Sequence, residues 1–483
     1  MTNPITKLLD SGVQLTGITS DSREVKQGNL FIAYKGDKSD GRDHIAEAIN
    51  NGAAAVIWEQ EGFTWNSELK IPNISIFGLR NSAGFIADGF YGQPSSRLWM
   101  IGVTGTNGKS SCSHWIAQAM NSLERRAAVI GTLGNGFVDI PNTLSEAVNT
   151  TPDPILIQKL LAEYLKKNAK TIVMEVSSHG LDQGRVNGVH FDVALFTNLS
   201  RDHLDYHKNM ESYENAKRKL FTWDGLRCAV LNIDDPVGSR FNVELVNNGK
   251  STLTYGLHGG DVRGFDVSYS REGIKMKISS PFGEVGLELP VIGKFNAYNL
   301  LAVYATLLAS DVPYFKAAQA MHSITSVPGR MQQFGGVSGP LIVIDYAHSP
   351  DALEKALQAL SEITEGKLIC VFGCGGDRDK GKRLLMGQVA SSYADEIIVT
   401  SDNPRYENPN EIVEQIIAGI SKNYQRIEDR RLAIADAIKR ANIQDVVLIA
   451  GKGHENYQDI EGVKYDFNDA LVVEEFLKEG VSQ

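Results

Sequence analysis

The sequence predicts an α/β protein of three domains, and three observations support this. Its 483 residues are enough for about three domains of ordinary size. A glycine-rich loop follows an apolar strand near residue 105, and the last third alternates apolar strands with helical stretches. We therefore expect a small N-terminal α/β domain, a central parallel-sheet domain of the P-loop ATPase type, and a C-terminal doubly wound domain of the Rossmann type.

Two changes of pattern set the predicted domain boundaries. The turn-rich stretch Gly92–Arg97 precedes the apolar run at 98–103, and Val327–Arg330 follows a long helical pattern. The predicted domains are therefore residues 1–97, 98–329 and 330–483.

Hydrophobic periodicity predicts the elements of each domain in turn. The first domain has a helix at 44–49 and a strand at 53–58. The second has a helix, a buried strand and an alternating antiparallel strand, at 110–123, 171–176 and 274–278. The third has four apolar strands, each followed by a polar loop, at 341–345, 367–373, 396–400 and 445–450. Parallel strands bind ligands beyond their carboxyl ends, so these four loops are candidate site loops.

Composition and charge exclude several classes of protein. The chain is 42% hydrophobic and 22% charged, which is typical of a globular enzyme and excludes a disordered or fibrous protein. Its net charge of −10 argues against a nucleic-acid partner. Without an apolar run of about 18 residues or a hydrophobic leader, we expect no membrane partner and a cytoplasmic location. The four cysteines are too few and too irregularly spaced for a disulfide framework, so reduced thiols are expected.

Residues 105–111, Gly-Thr-Asn-Gly-Lys-Ser-Ser, have the composition of a phosphate-binding loop. Glycines let backbone N–H groups surround an anion, Lys109 supplies positive charge, and either following serine can reach a magnesium ion. The match to the Walker pattern is imperfect, since Val103 stands where the pattern has glycine. A glycine-rich turn would explain both glycines but not lysine followed by a hydroxyl, so nucleotide binding is favoured.

Three further residues of the central domain have more than one interpretation. Glu175 ends a buried strand near the loop and is placed to hold magnesium, but it could equally be a helix cap or an ion-pair partner. His203 and His207 have the i, i+4 spacing of metal ligands on a helix, yet no third zinc ligand is evident, and hydrogen-bonded structural histidines remain an alternative. Lys217 by itself reads as one cation in a solvated charged run.

The third domain concentrates charged and glycine residues in its four loops, at 345–348, 373–383, 402–405 and 451–455. A basic, glycine-rich loop after one strand and an arginine after the next would suit a small molecule with several carboxylates. The alternative is that these loops are polar only because surface loops usually are. That alternative explains poorly why four polar loops occur at the same edge of the sheet.

Six strings in this order resemble the Mur ligase family of peptidoglycan synthesis, over nearly the whole chain. They are Gly-Thr-Asn-Gly-Lys-Ser, Met-Glu-Val-Ser-Ser-His-Gly-Leu, Asp-His-Leu-Asp-Tyr-His, Gly-Lys-Phe-Asn-Ala-Tyr-Asn, Pro-Gly-Arg-Met and Asp-Tyr-Ala-His. Within the family, Gly-Cys-Gly-Gly-Asp-Arg-Asp-Lys-Gly-Lys-Arg and Asp-Asn-Pro-Arg resemble the members that add meso-2,6-diaminopimelate to UDP-N-acetylmuramoyl-L-alanyl-D-glutamate.

The resemblance implies a role for residues at each of four sites. It implies ATP binding by Gly105, Thr106, Asn107, Gly108, Lys109, Ser110, Ser111, Asn299, Arg330 and Asp345. It implies binding of the UDP-sugar by Ser20, Ser22, Asp37, Lys38 and Ser39, and of its peptide arm by Asn149, Thr150, Thr151, Ser177, Gln183 and Arg185. It implies diaminopimelate binding by Arg378, Asp402, Asn403, Pro404, Arg405, Gly451 and Glu455. It implies magnesium ligands at Ser110, Glu175, His203 and a carbamylated Lys217, and catalytic roles for Lys109, Lys217, Glu175 and His203.

The activity implied by the resemblance is ATP-dependent amide formation through an acyl phosphate, with ATP and Mg²⁺ as cofactors. We expect a monomer that acts in the cytoplasmic synthesis of peptidoglycan precursors. Three alternatives remain open at this point: a lysine-adding Mur ligase, a folylpolyglutamate-type synthetase, and a binding protein that uses nucleotide only as a switch.

Overall fold

A computed structural model describes residues 4–37, 39–140 and 143–480. It divides into two compact units, residues 1–262 with 302–320, and residues 263–301 with 321–483. No helix among the described residues is long and apolar enough to cross a membrane.

The first unit begins with a small α/β region whose four strands are all parallel, in the order β1-β2-β3-β4. Its helices and strands are α1 (Pro4–Asp10), β1 (Gly17–Thr19), β2 (Asn29–Ala33), α2 (Ile45–Asn50), β3 (Ala53–Glu59), β4 (Asn73–Ile76) and α3 (Leu79–Phe90). The central strands are buried on both faces of the sheet. The apolar side of α3 packs on one face of this sheet through Leu79, Ala83 and Ile86. This arrangement leaves the ends of the strands available for a site.

The first unit continues into a larger, mainly parallel sheet. Its elements are β5 (Trp99–Thr104), α4 (Lys109–Ser122), β6 (Ala127–Gly131), β7 (Gly134–Phe137), α5 (Pro154–Lys166), β8 (Thr171–Glu175), α6 (Ser178–Asp182), β9 (Val193–Phe196), α7 (Leu204–His207), α8 (Met210–Arg218), β10 (Cys228–Asn232), α9 (Pro236–Asn247) and β11 (Thr252–Gly256). The strands lie in the order β11-β10-β9-β5-β8-β6-β7. All neighbours are parallel except β6 and β7. Because β5 and β8 are neighbours, the glycine loop after β5 and Glu175 at the end of β8 lie at one edge.

Three antiparallel strands and two helices come next along the chain. They are β12 (Val262–Tyr269), β13 (Ile274–Ser280), β14 (Gly283–Leu289), α10 (Lys294–Ala309) and α11 (Tyr314–Met321). In β13 apolar and basic residues alternate, so that Ile274, Met276 and Ile278 are buried. This period of two is the antiparallel pattern that the sequence predicts.

The second unit has a six-stranded sheet in the order β15-β16-β20-β17-β18-β19. Its remaining elements are β15 (Gln332–Gly335), β16 (Leu341–Asp345), α12 (Pro350–Ser361), β17 (Leu368–Phe372), α13 (Gly381–Tyr393), β18 (Glu396–Val399), α14 (Pro409–Ile417), β19 (Gln425–Arg426), α15 (Arg430–Arg440), β20 (Val446–Ala450), β21 (Tyr457–Ile460), β22 (Val463–Asp466) and α16 (Asp469–Gly480). Only β15 is antiparallel to its neighbour in this sheet. Hydrophobic clusters cover both faces, as a doubly wound sheet requires. The predicted α/β fold class is confirmed.

Candidate functional site

The glycine loop of the first unit turns from β5 into α4 through backbone conformations that favour glycine. Gly105 has φ +149° and Gly108, the residue before α4, has φ +84°. A Cβ on Gly105 would stand 1.9 Å from Thr197 Oγ1, so no larger residue fits there without movement. The loop therefore presents backbone N–H groups at the start of a 14-residue helix, the arrangement that binds phosphate.

Two lysine side chains converge on this loop. Lys109 Nζ donates to the carbonyl oxygens of Gly105 and Thr106, at 2.8 and 2.9 Å. Lys217 Nζ donates to the same Gly105 oxygen at 2.8 Å and lies 4.5 Å from the centre of the Tyr213 ring. Lys217 is only 1% exposed. It is therefore not the solvated surface cation that its charged neighbours suggest.

Burial holds the pKa of Lys217 well below its usual value, and the nearby charge of Lys109 lowers it further. A lowered pKa favours the neutral amine, which is the form that can react as a nucleophile.

Glu175 is fully buried beside the glycine loop and accepts three hydrogen bonds. Its Oε2 accepts from Ser110 Oγ and Thr132 Oγ1, each at 3.1 Å, and its Oε1 accepts from the Thr132 N–H at 2.9 Å. A Cβ on Gly131 would lie 2.3 Å from Oε1, so glycine at that position makes room for the carboxylate. Thr132 was not singled out in the sequence, where nothing nearby marks it as a partner of Glu175.

His203 lies in a cluster of aromatic rings with His179, His207, Tyr206 and Tyr213. Burial lowers the pKa of His203, and the charges of Lys109 and Lys217 contribute to the shift. His207 instead makes a 2.9 Å hydrogen bond through Nε2 with Ser178 Oγ. The part of the chain that the structure describes contains no group of three or more His, Cys, Asp or Glu side chains able to hold a metal. Within the described ranges, no third His, Cys, Asp or Glu ligand therefore joins His203 and His207 as a zinc site would need.

The residues predicted to hold the peptide arm meet around the end of β8. Thr151 Oγ1 donates to the Glu175 carbonyl at 2.9 Å and lies 3.1 Å from Ser177 Oγ. Arg185 donates through Nη1 to the Thr151 carbonyl and through Nε to Gln183 Oε1, each at 2.8 Å. Thr150 Oγ1 lies 3.0 Å from Thr132 Oγ1, so this cluster adjoins the Glu175 carboxylate.

The residues predicted to hold the UDP-sugar are divided between two places. Ser20 lines a cleft of 720 Å³ that runs between β1 and α5, and the same cleft is lined by Asn149, which is predicted to hold the peptide arm. Ser22 is buried and donates to Glu47 Oε2 at 2.7 Å. Asp37 accepts from Gln183 Nε2 at 2.7 Å and from Arg80 Nη2 at 2.8 Å, and Arg80 was missed because it lies 43 residues away along the chain. The Ser39 carbonyl accepts from the Gly36 N–H at 2.9 Å, and Lys38 lies outside the described residues.

The second unit brings Asp345, at the end of β16, next to the turn that carries Arg330, and both residues are predicted to contact adenine and ribose. The Arg330 guanidinium lies 4.7 Å from the centre of the Tyr346 ring. Asp345 Oδ2 accepts from the Met331 N–H at 2.8 Å, and burial raises the pKa of this carboxyl. Asn299, on α10, is buried and donates through Nδ2 to Asn296 Oδ1 at 2.9 Å.

The polar loops of the second unit pack directly on one another. Arg405 Nη1 donates to the Gly376 carbonyl at 2.8 Å, which joins the 402–405 loop to the glycine loop that carries Arg378. A Cβ on Gly376 would lie 1.9 Å from the Pro404 oxygen, and one on Gly451 would lie 2.7 Å from Asp402 Oδ2. The glycines thus permit a close approach of the loops that the sequence predicts to bind an amino acid.

Asn403 and Glu455 are joined directly, since Asn403 Nδ2 donates to Glu455 Oε2 at 2.8 Å. The hairpin of β21 and β22 holds the same loop, because the Arg405 N–H donates to the Asp459 carbonyl at 2.9 Å. Arg405 has a left-handed backbone, with φ +50°. No local pattern predicts this hairpin contact, which joins segments more than 50 residues apart.

Comparison with known proteins identifies the family. Three family models match successive parts of the chain, and their descriptions are Mur ligase family, catalytic domain (residues 14–91), Mur ligase middle domain (103–307) and Mur ligase, glutamate ligase domain (329–453). Two relatives, from Chromobacterium violaceum and Nitrosomonas europaea, are 50% and 45% identical to this chain. The alignments cover 96% of this chain in both cases, and 95% and 93% of the relatives. Both relatives are named UDP-N-acetylmuramoyl-L-alanyl-D-glutamate--2,6-diaminopimelate ligase.

A solved structure of a protein with the same name is similar to this fold throughout. It superposes with a TM-score of 0.72 at 38% sequence identity, covering 96% of this chain and 95% of that one. The family models, the curated relatives and the solved structure agree over nearly the full length. On this evidence, the chain belongs to the Mur ligase family.

Proposed function

We propose that the protein is an ATP-dependent amide ligase that joins meso-2,6-diaminopimelate to UDP-N-acetylmuramoyl-L-alanyl-D-glutamate. The observation that carries this proposal is the buried Glu175 carboxylate bound to Ser110 of the phosphate loop, in a chain that is 45–50% identical to relatives named for this reaction. In the same proposal it acts as a monomer in the cytoplasm, with neither nucleic acid nor membrane as a partner.

ATP phosphates are assigned to residues 105–111. The N-terminus of α4 and its backbone N–H groups favour negative charge, and Lys109 adds a full positive charge next to them. Asn299, Arg330 and Asp345 are assigned to adenine and ribose. The guanidinium of Arg330 over Tyr346 offers a flat, cationic surface of the kind on which a base can stack.

The donor set near Glu175 fits magnesium. Carboxylate and hydroxyl oxygens are the ligands that Mg²⁺ prefers, and it is commonly held by one or two carboxylates together with substrate phosphates. Glu175 and Ser110 supply the oxygens, and His203 is the third proposed ligand. When bound, magnesium supplies positive charge against the phosphate oxygens.

Lys217 is proposed to carry a carbamate. Its buried, neutral amine can form an N–C bond to CO₂ with loss of one proton, which replaces a cation by an anion. The lowered pKa of Lys217 supports this reaction, because only the unprotonated nitrogen has the required electron pair. The added carboxylate would supply an oxygen ligand that an ammonium group cannot.

The UDP-sugar is assigned to the 720 Å³ cleft lined by Ser20, together with Ser22 and residues 37–39. Its peptide arm is assigned to Asn149, Thr150, Thr151, Ser177, Gln183 and Arg185. The cluster of these side chains around the end of β8 supports this, because it adjoins the carboxylate of Glu175.

The proposed reaction has two steps. The side-chain carboxylate of D-glutamate attacks the γ-phosphorus of ATP, an O–P bond forms, and ADP leaves. Lys109 favours this step by neutralising charge as two anions approach each other. The amine of diaminopimelate then attacks the acyl carbon, an amide N–C bond forms, and inorganic phosphate leaves as the amine loses a proton.

Diaminopimelate is proposed as the amino acid because the polar loops of the second unit carry both arginine and carboxylate side chains. Arg378 and Arg405 can pair with carboxylates, and Asp402 and Glu455 can accept hydrogen bonds from an ammonium group. Asn403, Pro404 and Gly451 shape the same loops. Lysine has no distal carboxylate for Arg405, which is why the lysine-adding activity is the weaker candidate.

The test is an amino-acid panel with UDP-N-acetylmuramoyl-L-alanyl-D-glutamate, ATP and Mg²⁺, followed by phosphate release and product mass. We expect an amide product with diaminopimelate and little with lysine. An amide product that forms with lysine but not with diaminopimelate would show that lysine is the substrate instead. ATP hydrolysis at a rate that does not depend on the amino acid would favour a nucleotide switch. Activity on a folate substrate would favour a folylpolyglutamate-type synthetase.

A further inference from the structure

We infer that Lys452 is a positioning residue for the incoming amino acid, acting through Asn403 and Glu455. The inference rests on the proposed function, because it concerns the residues to which that function assigns diaminopimelate. Lys452 lies in the polar loop at 451–455, and the family resemblance implies no role for it.

Lys452 is fully buried, with 0% of its surface exposed. Its Nζ donates to Asn403 Oδ1 at 2.9 Å and to Glu455 Oε2 at 3.1 Å. A buried ammonium group is costly unless it is paired and hydrogen-bonded. Here the charge has a carboxylate and an amide oxygen as partners, so Lys452 ties together two of the polar loops.

Lys452 determines which way the Asn403 amide faces. Asn403 Oδ1 accepts from Lys452 Nζ and also from the Asp459 N–H at 3.0 Å. With two donors on the oxygen side, the Nδ2 group must point toward Glu455, to which it donates. Asn403 is 2% exposed. Its side chain therefore works as a link between loops, with its oxygen already occupied.

Lys452 also determines which oxygen of Glu455 remains for a ligand. Oε2 accepts from both Lys452 and Asn403. Oε1 accepts no hydrogen bond from any residue that the structure describes. An ammonium group of the substrate would therefore meet Oε1, at an orientation that Lys452 and Asn403 have already fixed. Preorganisation of this kind lowers the cost of binding.

The main test compares Lys452→Met with the unaltered enzyme in steady-state kinetics. We expect the KM for diaminopimelate to rise about 10- to 100-fold, the factor that corresponds to a lost hydrogen bond to a charged group. The KM values for ATP and the UDP substrate should stay within about two-fold. Leu357→Ala is the matched control, because Leu357 is buried in the apolar core of the same unit and no ligand-binding role is assigned to it. It should lower the unfolding temperature without raising the KM for diaminopimelate.

A double-variant comparison tests whether Lys452 acts through Glu455. In a Glu455→Gln background, Lys452→Met should raise the KM by no more than about three-fold, because the interaction it supports is already lost. The double variant removes both buried charges together. It can therefore be compared with Glu455→Gln even if Lys452→Met alone fails to fold.

The outcomes separate the inference from the proposed function. An unaltered enzyme that forms no amide with diaminopimelate would overturn the proposed function and the inference with it. An active unaltered enzyme, with a KM for diaminopimelate that Lys452→Met leaves unchanged, would overturn the inference alone. The inference would also be overturned if the KM increase of the double variant equalled the product of the two single-variant increases. Lys452 would then act independently of Glu455.

Discussion

Ser110 Oγ donates a hydrogen bond of 3.1 Å to Glu175 Oε2. This contact ties the first turn of α4 to the end of β8 through two residues that lie 65 positions apart in the sequence. It places a hydroxyl and a buried carboxylate beside the loop to which ATP phosphates are assigned. The first prediction follows from it.

Glu175→Gln should lower kcat by about 10²- to 10³-fold, the usual cost of removing one electrostatic group from a phosphoryl-transfer site. The amide keeps the size of the side chain and one acceptor oxygen but loses the negative charge. Phosphate release at saturating substrates measures the effect. Glu244→Gln is the control, because Glu244 pairs with Arg218 at the surface and should leave kcat unchanged. Equal activity of the two variants would contradict the assigned role.

Lys217→Ala should abolish activity, and short carboxylic acids should restore part of it. An added carboxylate can occupy the space that the truncated side chain leaves and replace the carbamate group. Lys219→Ala is the matched control, since Lys219 is half-exposed, pairs with Asp182 and should tolerate the change. Full activity of Lys217→Ala in the absence of any added acid would rule out the carbamate.

Arg405→Ala should raise the KM for diaminopimelate by about thirty-fold to several thousand-fold, because leaving a buried charged partner unpaired costs roughly 2–5 kcal/mol. Turnover with lysine should change little, since lysine has no distal carboxylate. The ratio of kcat/KM for the two amino acids is the measurement. Arg426→Ala, at an arginine that pairs with Glu414 instead, provides the control. A KM for diaminopimelate that Arg405→Ala leaves unaltered would count against this assignment.

Glu407 should give the protein an acid-sensitive component of stability. Hydrogen bonds from Arg383 hold the pKa of Glu407 at about 2, and the Arg383 side chain is fully buried. Because the pKa is lower in the folded state than its usual value of 4.5, the contribution is complete above about pH 4.5 and is lost as the pH falls toward 2.

Urea unfolding between pH 2 and 7 measures this component. We expect Glu407→Gln to be less stable than the unaltered protein at pH 7, with the difference shrinking as the pH falls through that window. Glu414→Gln, in an exposed pair, should show no such convergence. A difference that stays constant from pH 7 to pH 2 would mean that the Glu407 charge contributes nothing.

Local pattern was enough to predict most of the elements. The strand predicted at 341–345 is β16. The strands predicted at 396–400 and 445–450 differ from β18 and β20 by one residue at one end, and the strand predicted at 367–373 extends one residue beyond β17 at both ends. The helix predicted at 110–123 is α4, displaced by one residue. These elements have regular apolar patterns and clear glycine or polar boundaries, which a single sequence carries by itself.

Contacts between distant segments could not be predicted in the same way. Lys217 reads as a surface cation because its neighbours are charged, and only the tertiary fold buries it against the Gly105 carbonyl, 112 residues away. Lys452 and Asn403 are 49 residues apart, and neither has a local signal of the other. Such long-range pairs determine which polar residues of a loop face a ligand and which face each other.

The most direct test of the account is the dependence of phosphate release on both substrates, with the product mass recorded. We predict that ATP is consumed only when UDP-N-acetylmuramoyl-L-alanyl-D-glutamate and diaminopimelate are both present, with one amide product formed for each phosphate. ATP left intact in the complete mixture, or consumed at the same rate without diaminopimelate, would contradict the proposed ligase.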